Sequence, residues 1–228
     1  MSWQVDGVVA RPVAGGLWIA QDGYGLLLDA PIAVSLQLNE VERASLGTVA
    51  LSGGRMASVG GLVPLLACLE PHRIKEIPLA LVAPLSDDRG PRLAQAWSLG
   101  WPGRYAIQHD AIAPGEPFDA GPFEVQTMSL VRGEPRWRPQ PEVLRTEAMG
   151  FRIGTRAGDI AFIPGARPGR AVERLCEGAR LAVIEVATEH WPASKVGWRH
   201  HLTDAMRLRA EEIWPLDESG QSASGREQ

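Results

Sequence analysis

The chain has 228 residues, of which 45% are hydrophobic and 22% charged, with a formal net charge of −4. That balance fits a folded globular domain large enough to bury a core without disulfide or metal staples. A mildly acidic chain has no electrostatic drive toward nucleic acid or anionic membrane surfaces, so neither is an expected partner.

In chain order, "GLWIAQDG" and "GLLLDA" read as strands joined across Asp22-Gly23, a strong hairpin signal. "SLQLNEV" reads as a short helix or turn. "GTVALS" (47–52) is a short β-branched run, expected to be a buried strand. "SVGGLVPLLACLEPH" places Val59, Leu62, Leu65, Leu66 and Leu69 at helical spacing and stops near Pro71. "IPLALVAP" (77–84) is continuously apolar, the pattern of a strand covered on both faces. "SDDRGPRLAQAWSLGW" opens with capping residues and continues as a helix. "YAIQHDA" and "FEVQTMSLV" alternate as strands do, and "EPRWRPQPEVLRTEA" is loop-like. "GFRIGT" and "DIAFIPG" form a second hairpin about Arg156-Ala157-Gly158. "RAVERLCEGA" is a short amphipathic helix, "RLAVIEVA" a strand, and "HHLTDAMRLRAEEI" (200–213) the last helix. The expected organisation is one domain over residues 1–214 with a disordered Ser/Gly/Gln/Glu-rich tail at 215–228. Two face-to-face sheets with outer helices, an αββα sandwich of the α/β class, fit this order; a three-layer α/β sandwich is the alternative.

Cys68 and Cys176 sit in apolar, helix-like settings and read as free thiols. "MSWQVDGVVARPVAGG" lacks a charged-then-apolar leader, and no apolar run approaches the roughly 18 residues of a membrane span. A cytoplasmic location is therefore expected. Only Lys75 and Lys195 among the 23 basic residues are Lys. That is the bias of a GC-rich bacterial genome and carries no functional weight.

The stretch "SGGRMASVGGL" (52–62) has the form of a strand-to-helix binding loop, yet its one charged residue is Arg55. It lacks the Lys-Ser/Thr ending of a phosphate-binding P-loop. No G-x-S-x-G surrounds Ser52 or Ser58, so a serine nucleophile is not expected.

The order "GLLLDAP", "TVALSGGRMASVGGLVPLL", "FEVQTMSLVRGEP", "GFRIGTRAGDIAFIPGARP", "GARLAVIEVAT" resembles the metallo-β-lactamase fold in its ribonuclease Z-like branch. The resemblance implies a His-x-His-x-Asp-His metal motif just before Val59-Gly60-Gly61-Leu62. Its two leading histidines fall on Gly53 and Arg55, its aspartate on Ala57 and its last histidine on Ser58. The later histidine ligand falls at Arg132 and the metal-bridging aspartate on Gly165. Glu185 matches the Glu of the family's His-Glu-Ala-Thr strand end, with Ile184 in place of the His. No His follows in "EEIWPLDESGQ".

Gly and Ala offer a metal no donor atom, a Ser hydroxyl is a poor ligand, and Arg is a permanent cation. The expectation is therefore no catalytic residues, no metal and no cofactor: a pseudoenzyme serving as an interaction or regulatory subunit. The alternatives are a phosphoesterase or other ester hydrolase with an altered site, and a binder of phosphate or another small anion. Candidate ligand-binding residues are Arg55, Ser58, Arg132, Arg167 and Glu185. Arg55 and Arg132 are expected to converge there, and Glu185 to pair with Arg132 or Arg167. The eight tryptophans, several beside Arg in loop-like segments, point to a homodimer or a protein partner.

Overall fold

The computed structural model describes residues 2–73, 77–100, 105–130, 148–165, 169–185 and 209–216. The chain begins as an antiparallel meander of β1 (Trp3–Val5), β2 (Val8–Val13), β3 (Gly16–Gln21) and β4 (Tyr24–Leu28). Each of its three connections has two residues with positive φ: Asp6-Gly7, Ala14-Gly15 and Asp22-Gly23. That pair of left-handed residues is the tight hairpin turn whose twist matches its strands. The Asp22-Gly23 hairpin was expected from the sequence. β1 and β2 were not, although Asp6-Gly7 carries the same signal.

After β4 the chain forms α1 (Val34–Gln37) and α2 (Glu40–Ser45), the second held by a capping box between Asn39 and Glu42. Three parallel strands then extend the sheet: β5 (Leu46–Ala50), β6 (Leu79–Pro84) and β7 (Ile107–Ile112). Their crossovers carry α3 (Met56–Val59), α4 (Leu62–Leu69) and α5 (Arg89–Gly100). The first sheet has seven strands in the order β1 to β7.

The second sheet has six strands, in the order β13-β12-β11-β10-β9-β8. β8 (Phe118–Ala120), β9 (Phe123–Leu130), β10 (Ala148–Gly154) and β11 (Ile160–Ile163) are antiparallel. α6 (Arg170–Cys176) leads to β12 (Leu181–Glu185), and β13 (Glu212–Leu216) closes the edge, both strands parallel to β11.

Side-chain alternation builds the layers. Leu17, Ile19, Leu26 and Leu28 face inward to meet Phe151, Phe162, Val183 and Trp214 of the second sheet. Trp18, Leu27 and Val49 face outward onto Val34, Leu62, Leu65, Leu66 and Trp97 of the helices. On the far side Ala161, Ile163, Ala182 and Ile184 pack on Val172, Leu175 and Cys176 of α6. This is the four-layer αββα sandwich and replaces the three-layer alternative.

Two boundaries differ from expectation. Glu212 and Ile213 belong to β13 rather than to a final helix, and Pro215 and Leu216 belong to the sheet rather than to a tail. Pro215 pairs with Ile184 on an edge strand, where its missing N–H leaves no inner ladder bond unmade. Residues 131–147, read as a loop, most of the helix expected at 200–213, and residues 217–228 lie outside the described residues. The four described tryptophans, Trp3, Trp18, Trp97 and Trp214, are buried core residues and not interface anchors. Trp101, Trp137, Trp191 and Trp198, on which the interface reading leaned, are not among the described residues.

Candidate functional site

The opening loop runs from the end of β5 to the start of α3, at the rim where both sheets end. Its base is fixed by Asp29, the residue after β4, which sits in the left-handed region at φ 61°. The Asp29 N–H donates to Ala50 O at 2.9 Å, closing the β4–β5 ladder. Its carboxylate then accepts from Ser52 N at 2.7 Å and from Ser52 Oγ at 2.8 Å. Ser52 Oγ lies 3.0 Å from Ser58 Oγ, and Ser58 O accepts from Ala30 N at 2.7 Å. Asp29, Ser52 and Ser58 are all buried. Ser52 O accepts from Met149 N at 2.9 Å, which joins the loop to β10 of the second sheet. The two serine hydroxyls are thus engaged with each other and with Asp29.

A second carboxylate fixes the middle of the loop. Gly54 N donates to Asp87 Oδ2 at 2.6 Å. Asp87 is held in turn by Arg89, whose Nε and Nη2 donate at 2.9 and 2.6 Å in a bidentate fork. Burial alone would raise the Asp87 carboxyl, but the Arg89 and Gly54 hydrogen bonds outweigh it and hold the group below its ordinary value. A Cβ at Gly54 would stand 2.3 Å from both Asp87 Oδ1 and Arg89 Nε, so the close approach needs glycine. "SDDRG" was expected only to cap α5. Asp87 does accept from Arg89 N at 3.3 Å, but its principal partners are Gly54 and the Arg89 side chain.

The end of the loop is Arg55, immediately before α3. Its side chain crosses toward the second sheet, where Nη2 comes within 3.9 Å of Glu185 Oε2 at the end of β12. Between them lies Gly165, which follows β11 at φ 46°. A Cβ on Gly165 would stand 2.5 Å from Arg55 Nη2 and 3.3 Å from Glu185 Oε2. Arg55 Nε and Nη2 are buried and have no hydrogen-bond acceptor. The structure therefore unites Arg55, Gly165 and Glu185, and sets Ser58 in the supporting network. It adds Arg55 to the expected partners of Glu185. Arg132 and Arg167 lie outside the described residues.

The two-sheet sandwich, with its site at the rim, can be compared with solved structures. The chain aligns with a metallo-β-lactamase-fold protein, YhfI from Bacillus subtilis, at a TM-score of 0.61 and 15% identity, covering 89% of this chain and 77% of that one. It has the metallo-β-lactamase fold. The short form of human tRNase Z aligns at 0.61 and 14% identity, over 88% of this chain and 86% of the other. Zinc-bound PqqB from Methylobacterium extorquens aligns at 0.56 and 18% identity over 75% of this chain, which spans only 60% of the PqqB chain. No family model matches the sequence, and no curated protein matches it.

The metallo-β-lactamase fold raises the question of a metal centre at this rim. Gly53, Gly54, Ala57 and Gly165 provide no donor atom there, and Ser58 Oγ is taken up by Ser52. Among the described residues no group of three or more His, Cys, Asp or Glu could hold a metal ion. A guanidinium lies against Gly165, the position where the resemblance places the carboxylate shared by two metals. A permanent positive charge at that point repels a divalent ion. The described residues do not fit a dinuclear centre.

The two cysteines differ in burial. Burial pushes the Cys176 thiol up to about 12, and Cys68 is a free, half-buried residue of α4. No described helix is long and apolar enough to cross a membrane.

Proposed function

We propose that this chain is a non-catalytic protein of the metallo-β-lactamase fold, ribonuclease Z-like in its segment order, that acts as an interaction or regulatory subunit. The observation that carries this is Arg55. The loop that would present metal ligands keeps its shape through Asp29 and Asp87, while its tip presents a guanidinium to Gly165 and Glu185. Scaffold retention with replaced chemistry separates fold from function.

Exposed apolar side chains near the same rim support a partner-binding role. Ile32 and Met56 both lie beside Gly60, and each is well over half exposed. Leu36 on the adjoining α1 is 84% exposed. Clustered exposed apolar side chains beside a vacated site are the ordinary material of an interface core.

Three measurements on the purified full chain test the proposal: metal content, hydrolysis of a bis-aryl phosphodiester, and mass in solution. The expected results are substoichiometric zinc, iron and manganese, no turnover above buffer with or without added metal, and a dimer or a captured partner subunit. Stoichiometric metal with turnover establishes the hydrolase alternative. A metal-free monomer whose melting temperature rises with inorganic phosphate, and no longer does so in R55A, establishes the anion-binding alternative.

A further inference from the structure

We propose that Arg55 is the resident cation of this site: its guanidinium takes the place of a metal as the charge that ties the first sheet's loop to the second sheet. The inference rests on the non-catalytic reading and deepens it. Arg55 leaves the loop after β5, whereas Gly165 and Glu185 belong to the ends of β11 and β12. The Arg55–Glu185 contact therefore spans the two sheets at the rim. Further in, the Met149 N–H to Ser52 O bond spans them with a neutral pair.

The charge accounting supports the assignment. The Glu185 side chain is only 16% exposed, and a nearby cation favours a carboxylate that far from water, whatever other partners it has. Arg55 supplies one at 3.9 Å. Gly165 leaves room for the arrangement, because a Cβ there would stand 2.5 Å from Nη2 and displace the guanidinium. The residue at 55 and the residue at 165 are thus sterically coupled: with the guanidinium in this position, a side chain at 165 would have to push it aside. The tether is imperfect. Arg55 Nε and Nη2 form the planar edge that binds a carboxylate bidentately, yet both lack an acceptor. An untethered guanidinium, free to settle against Glu185, meets no such restriction.

The Arg55 side chain is 35% exposed, so its removal leaves a notch open to solvent beside Glu185, in which an alkylguanidinium cation can take up the vacated place. The experiment is thermal unfolding of the full-length wild type, R55A, E185Q and R55A/E185Q, with and without millimolar methylguanidinium, against sodium at equal ionic strength. R55A is expected to melt about 2–4 °C below wild type. Methylguanidinium is expected to restore at least half of that loss in R55A and nothing in wild type or R55A/E185Q. An R55A melt unchanged from wild type, or equal recovery in R55A/E185Q, overturns the proposal. If R55A does not fold, E185Q tests the pair from the other side: its melt falls more at low salt than at high salt, and a salt-independent or unchanged melt overturns the proposal. Stoichiometric metal in the wild type defeats the non-catalytic reading itself, whereas a metal-free wild type with an unaffected R55A defeats this inference alone.

Discussion

The base and the tip of the loop between β5 and α3 make opposite uses of charge. At the base, Asp29 accepts both the backbone and the hydroxyl of Ser52, and Asp87 accepts Gly54 and a bidentate Arg89. The donors there, the buried Ser52 and Gly54 groups and the half-exposed Arg89 fork, have partners at 2.6–2.9 Å. At the tip, Arg55 faces Glu185 at 3.9 Å, and its two buried nitrogens have no hydrogen-bond acceptor. Satisfied networks specify one geometry, and partly satisfied ones mark where a structure serves something other than stability. The contrast teaches that the loop's shape is encoded beneath it, independently of whatever its tip carries. A metal motif can therefore disappear from the tip while the loop stays in place.

If the base is over-determined, breaking it must cost more than altering the tip. The largest loss is expected for Asp29→Ala, which strands Ser52 N–H and breaks the serine network. It should destabilise the chain by about 3 kcal/mol in urea unfolding, since each stranded buried group costs about 1–3 kcal/mol. A loss smaller than that of any tip variant would reverse the comparison. Asp87→Asn comes next, at about 2 kcal/mol, in the range of hydrogen bonds to a charged group. Its effect depends on pH with a definite sign. The folded-state value of Asp87 lies below its unfolded value, so its contribution is fully present above the unfolded pKa and is lost as pH falls through the folded one. The gap in melting temperature between wild type and Asp87→Asn should therefore be wide at pH 7 and close in strong acid.

The tip should respond more gently. Gly165→Ala must place an L side chain at φ 46° and push Arg55 aside, for a loss of about 1–2 kcal/mol. Restoration of stability in the Gly165→Ala/Arg55→Ala double variant, relative to the sum of the singles, would measure the coupling between the two positions. Within the base, Ser58→Ala leaves both Asp29 bonds to Ser52 in place, removes only one partner of a hydroxyl pair and is expected to cost about 0.5–1 kcal/mol.

Much of the fold was legible in the sequence because its signals are local. Continuous apolar runs marked β6 and β12, alternation marked β9, and Leu62, Leu65, Leu66 and Leu69 marked the buried face of α4. Where local signals compete, the reading failed. The run into Glu212-Ile213 continues a helical pattern, but pairing with β12 makes it strand, because a buried parallel neighbour outweighs propensity. Asp6-Gly7 announced a hairpin as clearly as Asp22-Gly23, in a segment read only for a targeting leader. At the site, resemblance marked Arg55, Ser58, Gly165 and Glu185, because segment order carried the register. The roles of Asp87 and Arg89 were not legible. Their partner Gly54 lies 33 residues from Asp87, and nothing in "SDDRG" distinguishes a loop anchor from a helix cap. The approach of Arg55 to Glu185 joins the two sheets over a still longer span, which sequence patterns do not encode.

The most direct test of the central claim is elemental analysis of the full-length chain purified without chelators, repeated after incubation with excess zinc and desalting. The account predicts substoichiometric metal in both samples, because Arg55 already holds the position. One or two tightly retained metal ions per chain would contradict it.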